Sequence, residues 1–315
     1  AAGVNLSDAD SRIDLGQVDI SSTGGEGVSL SNANQVGSFH ISGGTIMDTD
    51  LAGVDLTNVS TGSINGVAID NALRGSGIRL SGVGSFDGSA TNDFVIDGVT
   101  ISNVGDTDST NGAPNGMELI SDTQAVRVAN STITGGEGNG IEIRGMAIDI
   151  VNTTIDSPGS DGIHVGLSDG SIGDTYGAVN IINSTITGIN QSESGVEISD
   201  GPVRIDATTI SGGVGVALFG SGTIFNRVEL DGLTMDVNNA GLLVSGTGGG
   251  AEVTVDNTTI RNTQGGSSDA FRLADNITIG GSGNTVESSV STACDTTNAG
   301  TVTGSIAYNG GNSCP

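Results

Sequence analysis

The sequence predicts an all-β solenoid of stacked parallel strands, and three observations carry that prediction. Glycine supplies 54 of 315 positions, proline four and tryptophan none. One short pattern, apolar-x-apolar-x-(Asn or Gly)-x-Thr-(Ile or Met) followed by Gly-apolar-x-apolar, recurs along the chain. Its apolar residues alternate with period two, which is the pleat of a strand and not the face of a helix. Other classes fall to the same composition. Glycine at this density costs about 1 kcal/mol at each helical position, which excludes a helical domain. The glycines do not recur at every third residue, which excludes collagen, and an apolar share of 35 % is too high for a disordered chain.

Taken in order, looser copies of the pattern start at Ile13 and near Asn58. Between them lies Phe39-His40-Ile41-Ser42-Gly43-Gly44-Thr45-Ile46, and Phe94-Val95-Ile96-Asp97-Gly98-Val99-Thr100-Ile101 follows. The clearest copy is Val126-Arg127-Val128-Ala129-Asn130-Ser131-Thr132-Ile133, closed by Gly140-Ile141-Glu142-Ile143. The next runs from Ile148 to Ile155 and closes on Gly162-Ile163-His164-Val165. Copies at Val179, Val203, Val228 and Val253, and a looser one at Ile277, bring the expectation to about eleven coils. The threonines at 100, 132, 154, 185, 209, 234 and 259 are spaced 32, 22, 31, 24, 25 and 25 residues apart. A constant strand frame with variable loops produces such intervals.

Strands this short bury their apolar positions by coiling, each coil resting on the next. At about 4.8 Å per coil, eleven coils make a rod of roughly 50 Å. Asn130, Asn152, Asn183 and Asn257 share one turn position, with Gly43, Gly98 and Gly232 in the same place. These residue types accept a left-handed backbone at little cost. Asparagines stacked there can also hydrogen-bond in a ladder. The threonines form a second column, read as structural because threonine favours strands.

Charge narrows the partners. Nine arginines and no lysine stand against 36 acidic residues, a net charge of −27. Such a surface repels a phosphate backbone, so nucleic acid is not expected. No apolar run approaches the roughly 20 residues of a membrane helix, so no membrane span is expected.

The pattern resembles the right-handed parallel β-helix of the pectin-lyase-like superfamily. Val-x-Val-x-Asn-Ser-Thr-Ile with a following Gly-Ile-x-Ile is more narrowly similar to passenger regions of bacterial autotransporter-type surface proteins. The resemblance covers roughly residues 13 to 286 and implies fold more than function, because the superfamily holds pectinases, lyases, epimerases, tailspikes and non-catalytic adhesins. Residues 1–286 are therefore read as the helix and 287–315 as a C-terminal capping segment. That segment carries Cys294 and Cys314, the chain's two cysteines, which flank strand-like residues and look like a disulfide-closed cap. Two reduced thiols are the alternative. A bridge implies an oxidising compartment, hence an extracellular or cell-surface location.

In register, the middle residue of Gly-apolar-x-apolar becomes an outward column: Ser29, Asp55, Arg79, Glu118, Glu142, His164, Glu197, Ala217, Leu243, Arg272. Glu118, Glu142, His164 and Glu197 are four titratable groups in succession, and Arg144 lies two places beyond Glu142. Stacked carboxylates raise one another's pKa, and a raised carboxyl beside a carboxylate is what glycoside hydrolysis uses. Asp161-Gly162-Ile163-His164 is similar to the Asp-Gly-Ile-Asp coils of the pectinases. The paired Asp-Asp and the Gly-His-Gly of the polygalacturonases do not occur here. The four residues are thus catalytic candidates on an otherwise solvated face, with Arg144 and the loop residue Tyr176 as binding candidates.

Asp106-Thr107-Asp108-Ser109-Thr110-Asn111-Gly112 approaches a calcium loop but lacks the closing glutamate. Asp106 and Asp108 are therefore candidates for weak calcium binding, and no dedicated cofactor is expected. His40 and His164 fall in different columns, which argues against zinc. The combined expectation is an extracellular, adhesin-type stalk whose partners are a cell surface, matrix or glycan. The alternatives are a polysaccharide hydrolase or lyase using the acidic column, and a filament subunit that associates end to end through open coil edges.

Overall fold

The structure, a computed structural model, describes residues 2–7, 12–31, 38–59, 61–82, 94–105, 113–120, 125–144, 147–166, 178–199, 201–219, 227–245, 252–265, 267–273, 278–295, 301–302 and 306–308. Among these the secondary structure is strand without helix, so no helix is long and apolar enough to cross a membrane. The chain divides into two compact units, one of residues up to 159 and one of residues 160–166 with those from 178 onward.

In the first unit each coil supplies three strands, and every strand pairs in parallel with its counterpart in the next coil. One ladder runs Arg12–Asp14, Ser38–Ile41, Gly62–Asn65, Phe94–Asp97, Val126–Ala129, Ile148–Val151. A second carries the threonine column: Thr45 stands beside Ala68, then Thr100, Thr132 and Thr154. The third is built from the Gly-apolar-x-apolar strands, from Val4–Ser7 through Ile141–Arg144. Alternation decides what is buried. Ile96, Val128 and Ile150 point inward with no exposed surface, each contributing roughly 1.5–3 kcal/mol of burial. Gly62 lies between Phe39 and Phe94 in the first ladder. A Cβ there would come within 2.9 Å of the Phe94 ring, so the two phenylalanines take the volume that glycine leaves.

The second unit repeats the scheme with its strands partly fused. Thr185–Ile198, Thr209–Phe219 and Thr234–Ser245 each run through both the threonine ladder and the Gly-apolar-x-apolar ladder. Thr185, Thr209, Thr234, Thr259 and Thr285 are partners in successive coils. The remaining ladder begins at Val179–Ile182 and reaches Thr301–Val302. Among the described residues this ladder has six strands here and six in the first unit, so the coil count differs from the eleven or so expected. The strand outside that expectation is Thr301–Val302, placed by sequence in the closing segment; two paired residues are too few for the repeat pattern to register.

The asparagine turn is left-handed as expected, with φ of 49° at Asn130, 51° at Asn152, 50° at Asn183 and 49° at Asn257. Gly98 and Gly232 match them at 63° and 66°, whereas Gly43 differs at 142°. Ala207 joins the column at 47°, the one member that is neither glycine nor asparagine. The side chains do form a ladder in the first unit. Asn152 Nδ2 donates to Asn130 Oδ1 at 3.3 Å, and Asn130 Nδ2 donates to Asp97 Oδ1 at 2.7 Å.

Four expected features lie outside the described residues: Asp106, Asp108, Tyr176 and Cys314. Cys294 sits on Thr292–Asp295, beside Phe271. The cap bridge to Cys314 is therefore not among the described contacts.

Candidate functional site

The outward column forms in the register the sequence implied. In the first unit Ser29, Asp55, Arg79, Glu118 and Glu142 are partners in successive coils. In the second, His164 stands beside Glu197, followed by Ala217, Leu243 and Arg272. The four catalytic candidates therefore form two neighbouring pairs, Glu118 with Glu142 and His164 with Glu197, one pair in each unit.

Their surroundings differ. Glu142 is only 3 % exposed. Its Oε2 accepts from Asn139 Nδ2 at 2.6 Å and its Oε1 from Arg144 Nε at 2.9 Å, so both oxygens are committed. That hydrogen bond, ahead of every other influence, raises the Arg144 guanidinium above its ordinary pKa. At His164, Nε2 faces both Ser199 Oγ at 3.4 Å and Glu197 Oε1 at 3.7 Å. Both groups lie on the same ring nitrogen, whereas a serine–histidine–acid relay places the acid on the other one. His40 Nδ1 meets Ser63 Oγ at 3.0 Å on a strand of the first unit, far from any role with His164 in sequence register.

Glu118 belongs to a different arrangement, and sequence reasoning passed over its centre. A groove of ≈ 390 Å³ opens on this face of the first unit, lined by Glu26, Asp55, Arg79, Glu118 and Arg144 with Leu51 and Pro114 among its apolar walls. Arg79 stands between two carboxylates without gripping either. Its Nη1 is 3.6 Å from Asp55 Oδ2 and its Nε 3.5 Å from Glu118 Oε2. Ser76 Oγ approaches the same Glu118 oxygen at 3.4 Å. Asp55 Oδ1 is buried without a hydrogen-bond partner. Burial pushes the Asp55 carboxyl above its ordinary value of 3.8; Arg79 opposes this, and Glu26 and Glu118 add to it.

Several other ion pairs are tighter, although Arg12–Asp14 at 3.4 Å and Arg261–Asp236 at 3.3 Å come close to these distances. Arg144 meets Glu142 at 2.9 Å, Arg272 meets Asp269 at 2.6 Å and Arg227 meets Glu229 at 2.5 Å. Arg74 grips Asp50 through two nitrogens. In the groove, the loosely held polar groups are thus Asp55, Arg79 and Glu118; away from it, Asn238 Oδ1 is a second buried acceptor without a partner among the described residues.

No protein-family model matches the sequence, and no curated protein matches it. Solved structures do. Two structures of PfbA, a surface adhesin of Streptococcus pneumoniae, align with it. The first has 13 % identity and a TM-score of 0.46, covering 87 % of this chain and 84 % of that one. The second has 14 % identity and a TM-score of 0.41, with coverages of 93 % and 89 %. The catalytic unit of a thermostable GH87 α-1,3-glucanase from Streptomyces thermodiastaticus aligns at 14 % identity and a TM-score of 0.41, over 98 % of this chain and 63 % of that one.

Asp55 and Arg79 were both visible in the column. Only distance separates their loose contacts from the tight pairs around them, and spacing along a sequence does not encode distance. No group of three or more His, Cys, Asp or Glu side chains suited to a metal ion occurs among the described residues.

Proposed function

We propose that this protein is an extracellular or cell-surface right-handed β-helix, closed by a Cys294–Cys314 cap, that works as an adhesin-type binding surface. The observation that carries the reading is the Asp55–Arg79–Glu118 ladder. Its polar groups are held apart at 3.5 and 3.6 Å over an open groove while neighbouring ion pairs close fully. Polar groups kept half-satisfied in a concave site are what a ligand completes. The ligand belongs to a cell surface or matrix, in the form of a glycan. Binding of purified protein to immobilised cell-surface and matrix glycans tests this, with Arg79→Ala expected to weaken retention by about tenfold. Equal retention of the variant would sink the reading.

One observation favours a second reading, a polysaccharide hydrolase. The raised Asp55 carboxyl is a general-acid candidate, and Glu118 stands two coils away. Their backbones are therefore about 9.6 Å apart, with the Arg79 side chain between the two carboxylates. The pair replaces Glu142, whose oxygens are both committed. Reducing-end release from a polysaccharide panel decides it: turnover that Asp55→Asn removes supports hydrolysis, and no release on any member ends it.

A further inference from the structure

We infer that the groove takes a neutral, polyhydroxylated saccharide, and not a polyuronate, another polyanion or a metal cation. The inference rests on the binding reading above and concerns the chemistry of the occupant. Three carboxylates, Glu26, Asp55 and Glu118, line the groove against three guanidinium groups, Arg74, Arg79 and Arg144. Asp50 pairs with Arg74 and Glu142 with Arg144, and counting them turns the site mildly acidic. Nothing in it draws a polyanion, and the −27 of the whole chain repels one. A cation fares no better, because Arg79 stands between the two carboxylates that would have to hold it.

What remains to be satisfied is of both kinds. Asp55 Oδ1 is an acceptor without a donor. Arg79 is a donor at the edge of reach of its acceptors, and the recorded hydrogen bond of Arg144 uses Nε, not the terminal amino groups. A ligand carboxylate or sulfate only accepts, so it would meet the arginines and leave Asp55 opposed. An ammonium group only donates. A hydroxyl does both, and neighbouring hydroxyls of one sugar can donate to Asp55 while accepting from Arg79. The Asp55 side chain is 20 % exposed and its Oδ1 is buried, so the oxygen a ligand meets is Oδ2, the one that faces Arg79. A peptide that docks by adding a strand needs a free backbone ladder. Here the strands Val54–Thr57, Ile78–Ser81 and Met117–Ile120 already spend that ladder on one another.

The test is calorimetric titration of the whole chain at neutral pH with three probes: neutral gluco- and manno-oligosaccharides, oligogalacturonates of the same length, and calcium chloride. Neutral oligosaccharides are expected to bind about tenfold or more tightly than oligogalacturonates, as befits hydrogen bonds to charged groups. That binding is expected to be insensitive to salt and to fall by about tenfold in Arg79→Ala. If Arg79→Ala melts early, Glu118→Gln serves in its place with the same expected loss. Oligogalacturonates binding as tightly as the neutral sugars, or calcium displacing them, overturns the inference while the binding surface stands. Failure of every probe overturns the inference and the glycan-binding reading together.

Discussion

At Asp55, burial works against charge. Because its folded pKa is raised, the stability this carboxyl contributes is fully present below its unfolded value and is lost as pH rises through the folded value. Asp55→Asn should therefore melt higher than the parent at pH 7, and the two curves should converge near pH 3. A variant that melts lower at pH 7 would mean that Arg79 outweighs burial. Asp236 runs the other way. Burial raises its pKa, but the Thr263 hydroxyl and backbone N–H, the latter at 2.8 Å, together with Arg261 at 3.3 Å, outweigh it and hold the carboxyl below 3.8. Its contribution is present above the unfolded value and lost as pH falls through the lowered one. Asp236→Asn should lower the melting temperature at pH 7 by the equivalent of about 1–3 kcal/mol, since it leaves paired groups unmet. The deficit should shrink on acidification; a deficit constant in pH would put the cause in packing.

The strand repeat depends on glycine in a way composition alone does not reveal. At many of the glycines ahead of Gly-apolar-x-apolar strands, Gly27, Gly53, Gly77 and Gly162 among them, a Cβ would strike both the next coil and an inward side chain. At Gly116 it would lie 2.5 Å from Gly140 O and 2.5 Å from Ile133 Cγ2; at Gly195 it would lie 2.2 Å from Ile210 Cγ2. The column is there to let coils close, not to supply unusual backbone angles. Gly116→Ala should cost about 1–3 kcal/mol or more through overpacking. Gly280→Ala, at a strand position with open space around it, should be neutral or slightly stabilising. Comparable losses at both sites in chemical denaturation would refute the steric account. Ala207 offers the converse case. Its left-handed φ of 47° is paid without glycine's freedom, so Ala207→Asn should gain about 1 kcal/mol in the same assay.

Those contrasts also mark how far the sequence could be read. Period-two alternation, the Asn130–Asn152 turn and the threonine column are local signals, so strands, register and outward column were legible from them. Ala207 escaped because its identity hides its backbone. Thr301–Val302 was read as strand-like but placed in the closing segment, because a strand that short does not carry the repeat pattern. At the site, the column containing Glu118, Glu142, His164 and Glu197 was legible, but the run of titratable types drew attention to the wrong members. Glu142 is sealed by Asn139, a residue three places away in the preceding turn, whereas Asp55 stays loose because neither partner closes on it. The first fact depends on how side chains fold back within one coil and the second on their reach across coils, and neither is written in residue type.

Across the whole molecule, charge sets the conditions under which the fold holds. Eight of the nine arginines already stand within 4.0 Å of a carboxylate, so few cations are left to offset the rest of the 36 acidic residues. Salt then has two opposed effects. It weakens exposed ion pairs, each worth about 0–1 kcal/mol. It also screens repulsion among the uncompensated carboxylates, with a Debye length that falls from about 30 Å at 0.01 M to about 3 Å at 1 M. The excess of −27 is far larger than the handful of pairs, so screening should win. The melting temperature is expected to climb from about 10 mM to about 0.5 M sodium chloride and then level off as the Debye length drops below the spacing of surface charges. A falling curve would show that the ion pairs dominate. Calcium chloride at matched ionic strength separates screening from binding: a shift equal to that of sodium is screening alone, while a larger one would locate a calcium site, with Asp106 and Asp108 the first residues to substitute.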